Sequence, residues 1–193
     1  MEAKISAHMK AAVYSKAEAG KVIEIRDLDQ PLPKDNEALL RVRAASVNPL
    51  DWRMKTERPG VDVAGEIIAV GKNVTQFKPG DAVFGGGKGA FAEYACARES
   101  KLAPKPEGVS FEQAAAVPIA GMTALQALRD AAHLQAGQKV LINGAAGGIG
   151  TFCRADREVV RRSCHRRLQH EECRIGALAR GGSCHRLHMR GFH

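Results

Sequence analysis

No stretch of the 193-residue sequence is long and apolar enough to cross a membrane. The apolar run at 114–128 is interrupted by Pro118 and Gly121, so it falls short of the roughly 18 uncharged apolar residues that a membrane helix needs. The first eight residues contain Glu2 and Lys4 and lead into no apolar core, so they do not resemble a secretory signal. We therefore expect a soluble, cytoplasmic protein with no membrane partner.

Lysine is absent after Phe152, where the composition changes abruptly. Residues 153–193 contain ten Arg, four of the five Cys and five of the seven His, against four acidic residues. Residues 1–152 instead combine 19 basic with 17 acidic residues. This change falls inside a motif rather than at a Pro- or Gly-rich linker, which is not typical of a domain boundary. We therefore interpret the two parts separately.

Residues 9–109 alternate short apolar runs with turn signals, a pattern typical of a small β-barrel. In the segment 40–44, Arg41 and Arg43 fall on one face and the apolar residues on the other, as in a half-buried antiparallel strand. The segment 78–81 has Pro and Gly at the second and third positions, where a type II turn requires them.

The pattern becomes helical at Ser110, which begins a capping box of the S-x-x-Q type. It predicts a helix through Val117 that ends at Pro118. A second helix is predicted over 122–132. A short buried strand at 138–143 follows and leads directly into a glycine-rich turn.

This turn has the composition of a phosphate-binding loop. It reads Gly144, Ala145, Ala146, Gly147, Gly148, Ile149 and Gly150. Gly147 would let the backbone approach a pyrophosphate, Gly150 would let the next helix pack on the strand, and the helix N-terminus would supply N–H groups. Ala145 stands at the place of the first Gly in G-x-G-x-x-G, so the segment is either a dinucleotide-binding loop or a simple turn.

Several segments between Met9 and Phe152 together resemble the medium-chain dehydrogenase/reductase superfamily, specifically its zinc-independent quinone oxidoreductase (zeta-crystallin-like) branch. The segments are Met9–Val13, Arg43–Trp52, Val63–Ile67, Val70–Gly71, Phe77–Phe84, Ala92–Tyr94, Ala114–Pro118, Met122–Ala124 and Gly144–Gly150. The resemblance implies an α/β plus β architecture, with a GroES-like, partly open β-barrel followed by the first strand and glycine loop of an incomplete Rossmann domain. It also implies hydride transfer from NADPH, or from NADH, to a small-molecule quinone or activated enone.

The resemblance divides the chain into four segments. They are an N-terminal extension at 1–8, a barrel domain for the substrate at 9–121, the start of an NAD(P)-binding domain at 122–152, and an aberrant tail at 153–193.

Three residues match cleft positions of the family. Asn48 resembles the family Asn that would orient the nicotinamide ribose or the substrate, or it is a turn residue before Pro49. Thr123 resembles the family Thr near the nicotinamide, or it is the N-cap of its helix. Tyr94 lines the cleft or packs within its strand. No catalytic residue is assigned.

The resemblance also predicts that the protein has no zinc site. Zinc-dependent relatives have Cys and His ligands in two segments. In this sequence those segments read Asn-Pro-Leu-Asp at 48–51 and Val-Asp-Val-Ala at 61–64. Too few nitrogen and sulfur ligands remain to bind zinc. A quinone needs less Lewis-acid assistance than an alcohol or aldehyde, which agrees with this prediction.

The tail departs from the family. Residues 153–162 contain only Val159 and Val160 as strong hydrophobes, so we predict that no second strand follows and that 139–142 is an exposed apolar edge. Read one base out of register from the Cys153 codon, the tail can yield family-like segments such as L-G-A-D-x-V-I-D. We therefore infer a frameshift after Phe152 and an impaired enzyme. In the recovered frame the second strand ends with an Arg, which favours NADPH.

Two other interpretations of the tail have less support. A metal site would draw on Cys153, Cys164, His165, Cys173, Cys184 and His185, which lack C-x-x-C and H-x₃₋₅-H spacing. A nucleic-acid arm would draw on Arg161, Arg162, Arg166 and Arg167, which lack interleaved aromatic residues. The alternative function is therefore a non-catalytic GroES-like module whose basic tail binds nucleic acid or a partner protein. The sequence assigns no oligomeric state.

Overall fold

The computed structural model describes residues 8–17, 20–54, 56–135, 138–159, 163–167, 175–178 and 184–187. The chain forms two compact units, Met1–Ile119 and Ala120–His193. Within the described ranges, none of the helices has the length and apolar character that crossing a membrane requires. Most of the N-terminal extension, together with Arg161, Arg162 and Cys173 of the tail, lies outside the described residues.

The described part of the first unit contains seven strands in two antiparallel groups. They are β1 (His8–Ala17), β2 (Gly20–Asp29), β3 (Glu37–Ser46), β4 (Asp62–Val70), β5 (Ala82–Gly86), β6 (Tyr94–Arg98) and β7 (Leu102–Pro104). Strands β1 and β2 form a hairpin, and the other five form a sheet in the order β6-β3-β4-β5-β7. This sheet does not close on itself within the described residues, which confirms the predicted open architecture.

Strand β1 attaches the hairpin to the rest of the first unit. The Ala12 N–H donates to the Phe91 carbonyl at 2.8 Å, and the Tyr14 N–H donates to the Glu57 carbonyl at 2.9 Å. These bonds use the side of β1 that faces away from β2. Strand β2 is therefore the outer strand of the hairpin.

The alternation predicted for β3 is confirmed at its centre. Leu40 is fully buried, whereas Arg43 is exposed and contacts Glu66 at 3.1 Å. The register against β4 shifts between Val42 and Ala44. Because a bulge re-aims the side chains around it, Val42 packs on the cluster that contains Leu40, while Ala44 packs on a second cluster beneath the helix at 111–115.

The helices are short, except for the last one. They are α1 (Pro49–Arg53), α2 (Phe111–Ala115), α3 (Pro118–Gln126) and α4 (Gly148–Val159), with a 3₁₀ turn at Glu99–Lys101 and a π-helical turn at Ala127–Ala131. The predicted capping box is confirmed, because the Gln113 N–H donates to Ser110 Oγ at 3.2 Å and the Ser110 N–H donates to Gln113 Oε1 at 2.9 Å.

Two predicted helix boundaries are wrong. The first helix ends at Ala115 rather than Val117, because a residue that precedes proline is disfavoured in the α conformation. The second helix begins at Pro118 rather than Met122. Proline suits the first helical position, where its missing N–H would have no intrahelical partner.

The second unit is a four-stranded sheet with helices that help to cover its apolar core. Its strands are β8 (Lys139–Asn143), β9 (Ser163–Arg167), β10 (Ile175–Leu178) and β11 (Cys184–Leu187), in the order β11-β10-β8-β9. Strands β8 and β9 are parallel and α4 connects them, as in a βαβ crossover. The buried cluster of this unit consists of Ala124, Ala127, Leu128, Leu134, Val140, Ile142, Ala145 and Cys153.

Two predictions about this unit are wrong. A second strand does follow, and its register runs from Lys139 opposite Ser163 to Asn143 opposite Arg167. The segment 139–142 is not an exposed edge, because β9 and β10 flank it and Ile142 is fully buried. Backbone N–H and C=O groups form the ladder, so a polar segment can pair with an apolar strand.

Candidate functional site

The glycine-rich loop joins β8 to α4 through a tight turn. Gly144 has φ +72°, a left-handed conformation that favours glycine. The Gly147 N–H donates to the Gly144 carbonyl at 2.9 Å, and the Thr151 N–H donates to the Gly147 carbonyl at 2.9 Å. The turn is thus hydrogen-bonded internally and continues directly into the helix.

Two glycines of the loop have opposite surroundings. A Cβ at Gly150 would lie 2.2 Å from the Gly144 carbonyl oxygen and 2.7 Å from the Ala145 Cα, so only glycine fits without movement of the backbone. A Cβ at Gly148 would meet nothing within 4 Å. Gly150 therefore lets α4 start close to the end of β8, whereas Gly148 faces open space.

The loop exposes mainly backbone. Ala145 is fully buried and belongs to the core cluster of the second unit, so its methyl group does not occupy the outer surface. Ala146, Gly147 and Gly148 are exposed. The first turn of a helix leaves its N–H groups without intrahelical partners, and the helix dipole adds partial positive charge there. This arrangement can bind a phosphate group.

A second polar site lies in the first unit, around the buried carboxylate of Asp62. Its Oδ2 accepts hydrogen bonds from Ser46 Oγ at 2.9 Å, from Asn48 Nδ2 at 3.0 Å and from the Ile119 N–H at 3.2 Å. Asn48 Nδ2 also donates to Ser46 Oγ at 3.0 Å. The Asn48 side chain is therefore held by two neighbours at the start of α1.

A second carboxylate, that of Asp51, is buried beside Asn48. Its Oδ2 accepts the Asn48 backbone N–H at 2.6 Å, which ties α1 to the end of β3. Within the described residues, Oδ1 of Asp51 and Oδ1 of Asp62 have no hydrogen-bond partner. Burial, together with the charge of Asp51, raises the pKa of Asp62, and the three hydrogen bonds lower it by less. This carboxyl group therefore holds its proton more tightly than an exposed aspartate does.

The structure gives different outcomes for the three predicted cleft residues. The Asn48 side chain belongs to the Asp62 network, so it does more than initiate a turn before Pro49. Tyr94 is half-buried at the start of β6. Thr123 lies inside α3, five residues after Pro118, so the alternative that it caps a helix is wrong.

Sequence reasoning missed Asp62 as part of this site. The signal that could have revealed it is an acidic residue inside the otherwise apolar run Val61–Ala64. A buried acid of this kind requires hydrogen-bond donors from elsewhere in the fold. Among the residues whose positions are described, no three His, Cys, Asp or Glu side chains come together as a metal-binding group.

Comparison with known proteins identifies the first unit. Residues 34–107 match the alcohol dehydrogenase GroES-like domain. The quinone oxidoreductase of Pongo abelii is 42% identical over 136 residues, which cover 64% of this chain and 41% of the relative. The chain therefore spans less than half the length of this curated relative.

Solved structures give the same assignment. The quinone oxidoreductase from Coxiella burnetii superposes with a TM-score of 0.73 at 31% identity, covering 81% of this chain and 55% of that one. A mycobacterial protein solved in complex with NADPH superposes with a TM-score of 0.72 at 28% identity, covering 81% of this chain and 50% of that one. Both matches extend beyond the GroES-like domain. Over the matched residues the chain is therefore similar to quinone oxidoreductases, and residues 34–107 match the alcohol dehydrogenase GroES-like domain.

Proposed function

We propose that this chain has the binding elements of an NADPH-dependent reductase of quinones or activated enones. The geometry of the Gly144–Gly150 loop carries the proposal, since it joins a buried strand to a helix and exposes backbone where a diphosphate would lie. The similarity to quinone oxidoreductases and to a protein solved with NADPH supports it. When bound, NADPH supplies a hydride from its nicotinamide ring.

The loop would hold the diphosphate through backbone groups. The exposed segment from Ala146 to Gly148 lets phosphate oxygens approach the first turn of α4, where N–H groups and the helix dipole stabilise negative charge. Gly150 keeps this helix end close to β8, because its missing side chain leaves room for the Gly144 carbonyl. The fit of the loop thus depends on absent side chains rather than on charged ones.

The recovered reading frame of the tail supports NADPH over NADH. In that frame the second strand of the dinucleotide-binding fold ends with an arginine and has no acidic residue there. The end of this second strand is where dinucleotide-binding folds place an acidic residue for the NAD ribose or an arginine for the NADP 2′-phosphate.

Asn48 would present a hydrogen-bond acceptor to the nicotinamide ribose or the substrate. Its Nδ2 group donates to Ser46 and to Asp62, so the orientation of the amide is fixed. The carbonyl oxygen faces the Asp51 N–H in the capping box of α1, and its second lone pair is what the side chain would offer to a ligand. We propose that residues 9–121 bind the substrate and that residues 122–152 form the start of the cofactor site.

We expect little or no turnover from this chain. Residues 153–193 combine ten arginines with few strong hydrophobes and depart from the family pattern immediately after the glycine loop. The chain can therefore bind the cofactor without turning it over, so binding and turnover must be measured separately. If the chain oxidised NADPH in a quinone-dependent reaction at the rate usual for quinone oxidoreductases, the prediction of an impaired enzyme would be wrong.

A binding experiment tests the proposal without relying on activity. NADPH fluorescence titrations of the full chain would be compared with titrations of Ala146→Asp and Ala146→Asn, two variants of nearly equal size at an exposed loop position. Both side chains add bulk beside the diphosphate, but the carboxylate should weaken NADPH binding by about tenfold or more relative to the neutral amide. NADH should bind more weakly than NADPH. Equal affinities of both variants, or no binding by the unaltered chain, would refute the assigned loop.

A further inference from the structure

The outer strand of the hairpin is an exposed edge with apolar side chains. Val22, Ile23 and Ile25 are 44%, 53% and 68% exposed. Among the described strands, β2 pairs only with β1. A long, exposed edge strand of this kind is a template for pairing with another strand, and proteins usually cover or disrupt it.

The backbone groups that face this open edge follow from the bonds made by β1. The N–H groups of Lys10, Ala12 and Tyr14 donate to Glu93 Oε2, the Phe91 carbonyl and the Glu57 carbonyl, all away from β2. Successive residues of a strand direct their N–H groups to opposite sides. The alternate residues of β1, which are Met9, Ala11 and Val13, therefore bond to β2.

The register then determines which residues of β2 point outward. Met9, Ala11 and Val13 lie opposite Leu28, Arg26 and Glu24. Those three residues of β2 direct their N–H and C=O groups inward, towards β1. The intervening residues Ile23, Ile25 and Asp27 therefore direct their backbone groups to the open edge.

We infer that this edge pairs with the same edge of a second copy of the chain, in an antiparallel arrangement centred on Ile25. A two-fold axis at Ile25 places Val22 opposite Leu28, Ile23 opposite Asp27, Glu24 opposite Arg26, and Ile25 opposite itself. Glu24 and Arg26 thus face opposite charges, Val22 and Ile25 face apolar side chains, and Ile23 faces the carboxylate of Asp27. Ile23 of each copy lies diagonal to Ile25 of the other.

Neighbouring registers are unfavourable, which makes the pairing specific. Centring the pair on Glu24 places two carboxylates opposite each other, and centring it on Arg26 places two guanidinium groups opposite each other. Like charges directly across a strand pair are destabilising. Glu24 already contacts Arg26 of its own chain at 2.7 Å, so the central register joins two such pairs into one alternating cluster.

The expected dimer is weak and depends on protein concentration, because two strands joined edge to edge bury less area than a stable interface requires. Sedimentation velocity of the full chain over a concentration series would measure it. Ile25→Lys should weaken association by roughly tenfold or more, since it places two cations at the symmetry axis. Leu32→Lys is the matched control, since Leu32 is 85% exposed and lies outside β2.

A charge exchange provides the second test. Glu24→Arg and Arg26→Glu should each weaken the dimer, because each creates two like-charge pairs across the axis. The double variant exchanges both charges and should recover the association of the unaltered chain. Far-UV circular dichroism would confirm that each variant is folded.

Three results would overturn the inference. One is an unaltered chain that stays monomeric over the whole concentration series. Another is equal association of Ile25→Lys and Leu32→Lys. The third is a double variant that associates no better than the weaker single variant. This result would refute the pairing even if Ile25→Lys does not fold.

Discussion

The side-chain amide of Asn48 donates a 3.0 Å hydrogen bond to the carboxylate of Asp62, which has no solvent-exposed surface. The two residues lie at the start of α1 and the start of β4, so this bond joins a helix and a strand of the first unit. Ser46, from the end of β3, and the backbone of Ile119 donate to the same carboxylate oxygen. A single buried atom thus orients the residue that we assign to ligand binding.

Removal of the Asp62 carboxylate should destabilise the protein. Asp62→Ala removes the acceptor shared by three partly buried donors, and we expect the free energy of unfolding to fall by about 3 kcal/mol. Asp62→Asn keeps an oxygen of similar position, so its loss should be smaller, about 1 kcal/mol. Urea unfolding followed by circular dichroism measures both. The exposed Asp27→Ala is the control, and equal losses for Ala and Asn at position 62 would contradict the role of the acceptor.

The same residue predicts a pH dependence of stability. Burial raises the pKa of Asp62 above 3.8, the ordinary aspartate value. The folded protein therefore binds this proton more tightly than the unfolded chain does, and protonation stabilises the fold. This contribution is complete below the unfolded pKa and is lost as the pH rises through the folded pKa. The unfolding free energy of the unaltered chain minus that of Asp62→Asn should therefore decrease as the pH rises from about 4. A difference that increases with pH would show that the pKa is lowered instead.

Two glycines of the loop should respond to alanine in opposite ways. Gly150→Ala places a methyl group against the Gly144 carbonyl and should cost about 1–3 kcal/mol of unfolding free energy. Gly148→Ala, in open space at the first position of α4, should be neutral or stabilise by up to about 1 kcal/mol. Urea unfolding of both variants tests the pair. Similar effects would mean that the helix is not held close to the end of β8.

Local sequence signals predicted local structure well. The Ser110 capping box and the alternation around Leu40 depend on neighbours within a few residues, and both are present. The Asp62 network joins residues 46, 48, 62 and 119, which no local pattern connects. Strand β9 was missed for another reason: its residues lack apolar character, yet backbone pairing does not require it. The prediction thus failed where distant segments meet.

Cys96 should be almost inert towards thiol reagents in the folded protein. Burial, followed by the charge of Glu37, raises its pKa to about 11, from an ordinary value of 9.0. Only the thiolate reacts, and at pH 8 this shift lowers the thiolate population of Cys96 by about a hundredfold. Burial of the side chain in β6 slows the reaction further. Iodoacetamide labelling followed by peptide mass spectrometry should show slow modification of Cys96 in buffer and rapid modification in urea. Glu37→Gln should raise the native rate, because it removes the negative charge that opposes ionisation. Labelling of Cys96 that is as fast in buffer as in urea would show that β6 does not protect the thiol.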